Sequence, residues 1–157
     1  MSAADENPAL AAYRRHYIRA QYIWVQMFTE HLTDCSRVFK GDLQAMLILA
    51  IIGQSYLFKM MKDGHHALKP GCIPILDGTS INASSLAAVL EIPRETVRRK
   101  LNFLAHQGWI EKHDGGWRLV IENGETRARS ALDDLDQRSM MRIAKLVGDF
   151  NSLALKP

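Results

Sequence analysis

Arg94, Glu95, Thr96, Arg98, Arg99 and Asn102 lie close together in a stretch whose apolar members, Val97, Leu101 and Leu104, recur at helical spacing. On a helix with that inner stripe, the six polar residues lie away from the packed side. Guanidinium groups reach phosphates and the O6/N7 edge of guanine, an amide pairs with adenine, and a carboxylate accepts from the cytosine amino group. The chemistry on offer is contact with a nucleic acid. Plainer roles exist for each group: solvated surface charge for Arg98 and Arg99, a local cap for Thr96, and a partner for the positive helix end for Glu95.

A helix that presents such a face must be held by others. Leu86, Ala87 and Leu90 mark an earlier amphipathic helix, Asn82 is placed to cap it, and Ile92-Pro93 interrupts the pattern before the second stripe begins. Ser84 and Ser85, in its first turn, offer hydroxyl and backbone N–H donors to a phosphate. After the second helix, spanning residues 93–107, Gly108 suits a C-cap and residues 109–113 suit a strand. Asp114-Gly115-Gly116 then suits a hairpin turn, and residues 117–121 a returning strand. Residues 79–81 are a candidate third strand. Lys112 and Arg118 are expected to be exposed on this hairpin and to lie along a duplex backbone, with His113 a weaker candidate.

Helix, turn, helix and short hairpin in this order resemble the winged helix-turn-helix of bacterial transcriptional regulators, over residues 79–121. The resemblance rests on Ile92-Pro93-Arg94-Glu95-Thr96-Val97-Arg98-Arg99-Lys100-Leu101 followed by Gly108-Trp109-Ile110. Long helices before and after the module are similar to the layout of the multiple-antibiotic-resistance-regulator (MarR) type. That family implies a homodimer on double-stranded DNA and a small apolar effector as a further candidate partner. Residues 111–118 lack the Asp-x-Arg pattern that the MarR type carries at its wing, so deep minor-groove reading by the hairpin is not expected. The competing expectation is a winged helix used for protein–protein contact without DNA.

The expected fold class is mainly α with a small β-hairpin wing, in one compact domain with three parts: a helical region (1–78), the winged module (79–121) and a C-terminal helix (122–157). An amphipathic helix is expected over 8–32, a break at 33–36, a helix from an Asp42 cap to about Lys62 that is covered on all sides, and loop over 64–80. A turn at Asn123-Gly124 leads to a helix over 126–153. The aromatic set Tyr13, Tyr17, Tyr22, Trp24 and Phe28, with methionines such as Met60 and Met61, suits packing or the lining of an effector site between regions 13–28 and 46–61.

The 157 residues carry a net charge of +3, and the excess is spread out. Residues 81–121 hold six Lys and Arg against four Asp and Glu, and residues 122–157 hold six of each. Charge alone is therefore a poor argument for DNA binding. Two cysteines without metal-ligand spacing suit reduced thiols in the cytoplasm. The first eight residues lack the pattern of a signal peptide, and polar residues break the one apolar run long enough to span a membrane, so no membrane association is expected. His65-His66 with Cys72 is too irregular for a metal site. No phosphate loop, nucleophile elbow or His-Glu motif is present, so no catalytic residue, cofactor or enzyme activity is expected.

Overall fold

Asn7 caps a helix: its side chain accepts from Ala9 N–H at 2.9 Å, and Pro8 follows at the first helical position. The computed structural model describes residues 7–67, 69 and 71–155. Its elements are α1 (Pro8–Arg15), α2 (Tyr17–Val38), α3 (Leu43–Lys62), α4 (Ala83–Leu90), α5 (Arg94–His106), β1 (Ile110–His113), β2 (Gly116–Leu119), β3 (Ile121–Glu122), β4 (Glu125–Thr126) and α6 (Arg127–Ala154). The expected class is found: a mainly helical chain with a small antiparallel hairpin directly after a helix-turn-helix. Contacts divide it into two compact units, one of residues 1–38 and 134–157, the other of residues 39–133.

In the first unit the single helix expected over 8–32 is two, because His16 leaves helical geometry at φ −113°, ψ 37°. The expected break at 33–36 is absent, and α2 runs through it to Val38. Asp34 and Cys35 read as loop residues in sequence, yet both are buried here. Asp34 is paired with Arg37 at 2.9 Å, Arg138 at 3.0 Å and Arg142, so its carboxylate has helix-borne partners and no need of a turn. The hydrogen bond from Arg142 leads the effects that hold the Asp34 carboxyl below the usual carboxylate range; burial opposes it, and the charges of Arg138, Arg142 and Arg37 add to it. Tyr13 stacks on Phe150 at 6.3 Å and Trp24 on Phe28 at 5.3 Å.

In the second unit α3 starts at the expected cap, with Asp42 accepting from Ala45 N–H at 3.0 Å. Its buried residues, among them Ile48, Ile52, Tyr56 and Met60, form the inner face, and α3 packs against α5 and β2. It is not covered on all sides: Leu47, Leu57, Phe58 and Met61 are exposed. The cause is that its packing partners in this unit occupy one side. Among the described residues α3 is the one helix long and apolar enough to cross a membrane. Tyr56 donates to the Pro74 carbonyl at 2.7 Å and clusters with Met60 and Ile73, which fixes the long connection expected to be loop.

That connection is also held by a second hairpin, β3–β4, where only a turn was expected. Gly124 has φ +72°, and a Cβ there would lie 2.1 Å from the Gly71 carbonyl oxygen. The close approach is sealed by Ile73 N–H donating to the Gly124 carbonyl at 2.9 Å and Gly71 N–H to the Glu125 carboxylate at 2.7 Å.

Candidate nucleic-acid interface

The helix-turn-helix is built as its residues require. Asn82 accepts from Ser85 N–H at 2.8 Å, and α4 buries Leu86 and Ala87. It ends on Glu91 in the left-handed region, φ 53°, and α5 follows from Pro93. Val97, Leu101 and Leu104 are fully buried, so the angular position of every other α5 side chain is set by that stripe. Lys100 fixes α5 further by an ion pair at 2.6 Å with Asp42, the residue that caps α3. Burial opposes ionisation of Asp42, but the Lys100 hydrogen bond, the Ala45 N–H and the charges of Lys100 and Arg99 outweigh it and hold its carboxyl below the usual range.

With the inner stripe fixed, Glu95, Arg98, Arg99 and Asn102 are exposed on one outward face of α5. Arg94 is exposed at the helix start and donates to the Ser84 hydroxyl, tying the first turn of α5 to the first turn of α4. Thr96 lies at the flank of the face and is only half-exposed. Arg98 makes a two-pronged contact with Glu95, Nε at 2.9 Å and a terminal nitrogen at 2.6 Å. That hydrogen bond leads the effects that lower the Glu95 carboxyl and raise the Arg98 guanidinium above its ordinary value. Arg99 has no ion-pair partner among the described residues. His106, four residues beyond Asn102, is exposed on the same face; sequence reasoning passed over it although the spacing that selected Asn102 also selects His106.

The wing is a tight hairpin in which Ile110 pairs with Leu119, Glu111 with Arg118, Lys112 with Trp117 and His113 with Gly116. Asp114 and Gly115 at its tip have φ 46° and 71°, the primed turn that the sequence implied. The expected third strand reduces to a single bridge: Ile81 and Trp117 exchange N–H···O bonds of 3.0 and 2.9 Å. Gly116 makes this possible, since a Cβ there would lie 2.9 Å from the Ile81 carbonyl oxygen.

Of the basic wing residues, Lys112 is exposed as expected and Arg118 is not. Arg118 was expected to be exposed, but its side chain is only 17% exposed and pairs with Glu111 at 2.9 Å, because the register places the two directly across from each other. His113 lies 3.1 Å from Asp114, and Lys112 sits 5.5 Å from the centre of the Trp117 ring.

An open, largely apolar cavity of about 760 Å³ adjoins α3 in the same unit, lined by Ile51, Phe58, Met60 and Met61 with Gln54, His65 and Ile81 among others. Its lining comes from α3, the loop after it and Ile81, with no residue of region 13–28, so it is not the site expected between regions 13–28 and 46–61.

Residues 75–122 match the DeoR-like helix-turn-helix domain family. The match covers α4, the turn, α5 and both wing strands. It supports DNA-binding transcription regulation of the bacterial helix-turn-helix type, with DNA as partner. No curated protein and no solved structure matches the chain.

Proposed function

We propose that the chain, carrying a DeoR-like helix-turn-helix over residues 75–122, is a non-enzymatic, cytoplasmic transcription regulator that binds specific double-stranded DNA as a homodimer. The observation that carries this is the outward face of α5, where Glu95, Arg98, Arg99 and Asn102 are exposed and positioned by a fully buried stripe. In this reading α5 enters the major groove, and Arg94, Ser84 and Ser85 at the helix starts meet the phosphates. Lys112 approaches the backbone from the wing, while Thr96 and Arg118 contribute little.

The first unit supports a second copy as partner, in the manner of the MarR-type layout. Ile18, Tyr22, Val25 and Leu32 on α2 and Met140, Ile143, Val147 and Phe150 on α6 follow the alternating three- and four-residue spacing of helix-packing seams. Much of both seams is open: Ile18 is 86% and Tyr22 68% exposed, Met140 57% and Val147 53%. Apolar stripes of this length are covered in stable proteins, and pairing of two copies covers both at once. The cavity beside α3 supports a small apolar effector.

Gel shifts with random duplexes at two salt concentrations, together with light scattering, test this function. Enrichment of a near-palindromic sequence by a dimer is expected. Absence of any salt-dependent duplex binding by the folded protein would favour the protein–protein role, and a monomer at micromolar concentration would remove the homodimer.

A further inference from the structure

We propose that Glu95 is a positioning residue that makes Arg98 a reader of guanine and keeps it from acting as a phosphate clamp; this rests on the DNA-binding role of α5. A guanidinium has two edges that can each make paired hydrogen bonds. In Arg98 the side edge, Nε–H and the adjacent terminal N–H, is spent on the two carboxylate oxygens of Glu95 at 2.9 and 2.6 Å. The far edge, with one N–H on each terminal nitrogen, is left open, and its two parallel donors match the O6 and N7 acceptors of guanine in the major groove.

The surroundings favour that use. The pair is three residues apart on the outward face of α5, with the Arg98 side chain 64% and the Glu95 side chain 75% exposed, so it does little for the fold. Its effect is on what the guanidinium meets. Gripped on one edge, Arg98 loses rotamer freedom before binding and gives up less when it docks. The neighbouring carboxylate repels a phosphate, which biases Arg98 toward base edges; a negative charge is no obstacle beside the cytosine amino group of the same base pair. Arg99 is exposed and makes no ion pair among the described residues, and Arg94 is held at the helix start by Ser84, so neither carries this arrangement.

The test begins with selection of duplexes from a random library by the full chain. The selected duplex and copies with single guanines replaced by 7-deazaguanine, which lacks the N7 acceptor, are then titrated with wild type, Glu95→Ala, Glu95→Gln, Arg98→Ala and Arg98→Lys. Each variant's fold is confirmed by its helical circular dichroism. One guanine per half-site should matter to wild type by on the order of 10-fold. In Arg98→Ala the same replacement should have no further effect, and in Arg98→Lys, whose ammonium can still reach N7, a smaller one than in wild type. In Glu95→Ala the preference for that guanine should fall several-fold while affinity for unselected duplex rises, and Glu95→Gln should lie between the two. Full retention of the guanine preference in Glu95→Ala would overturn the positioning role, as would loss of affinity in Arg98→Ala by the same factor on selected and unselected duplexes. If wild type enriches no sequence, the DNA-binding role fails and the inference fails with it.

Discussion

The outward face of α5 and the wing carry cations in similar density along the sequence but differ in what those cations are free to do. On the wing the cations meet nearby partners: Arg118 meets Glu111 and Lys112 rests over Trp117. On α5 the buried stripe of Val97, Leu101 and Leu104 turns Arg98, Arg99 and Asn102 outward. Arg99 has no ion-pair partner among the described residues, and Arg98 keeps an open edge. A hairpin register pairs residues directly opposite, so a Glu facing an Arg is neutralised by the fold itself. On the face of α5 the i,i+3 pair of Glu95 with Arg98 takes only one edge of the guanidinium. Counting charge along the chain treats the two regions alike, whereas their geometry assigns them different capacities.

The largest expected effect comes from removing the α5 cations together. Arg94→Ala, Arg98→Ala and Arg99→Ala combined should lower affinity for a selected duplex by about 100-fold or more at low salt, with the salt slope reduced by roughly one unit per lost phosphate contact. Gel shifts of a variant that retains its unfolding midpoint measure this. Next in size is Gly116→Ala, whose Cβ would press on the Ile81 carbonyl oxygen at 2.9 Å. The wing must shift off its bridge to residue 81, at a cost of about 1–3 kcal/mol read from chemical unfolding. Binding should fall much less than in the triple variant if the wing is secondary.

Smaller changes sharpen the contrast. Glu111→Gln frees Arg118 from its carboxylate, so affinity for any duplex should rise about two- to fivefold and the salt slope should steepen. Neutralising the wing with Lys112→Ala and Arg118→Ala should weaken binding by no more than about fivefold, on the same basis. The smallest effect is on pH dependence. The Asp42 carboxyl lies below its ordinary value in the folded chain, so the stability it contributes is fully present above the unfolded value of about 3.9 and is lost as pH falls through the lower folded value. Asp42→Ala should remove that acid-limb dependence and cost about 1–2 kcal/mol through the lost cap at neutral pH, as followed by thermal unfolding.

Much of the second unit was legible in the sequence because its signals are local. Asn82, Ile92-Pro93, Gly108 and Asp114-Gly115 each act within a few residues of themselves, and α4, α5 and the wing follow from them. What escaped depends on partners distant in sequence. The continuation of α2 through Asp34 needs Arg138 and Arg142, more than a hundred positions away. The β3–β4 hairpin is completed by residues 71–73, and the open sides of α3 depend on which neighbours reach it. In the candidate interface, the face of α5 could be read from spacing. The Glu111–Arg118 pairing required the strand register, and the Glu95–Arg98 grip required rotamers that no sequence pattern specifies.

The most direct measurement is the salt dependence of affinity for one selected duplex, compared among wild type, the Arg94, Arg98 and Arg99 triple variant, and the Lys112 and Arg118 double variant. If α5 carries the contact, the triple variant loses most of the affinity and about two units of salt slope, from Arg94 and Arg99, while the double variant loses no more than about one. Equal slopes in wild type and the triple variant, or a larger loss in the wing variant than in the triple variant, would contradict it.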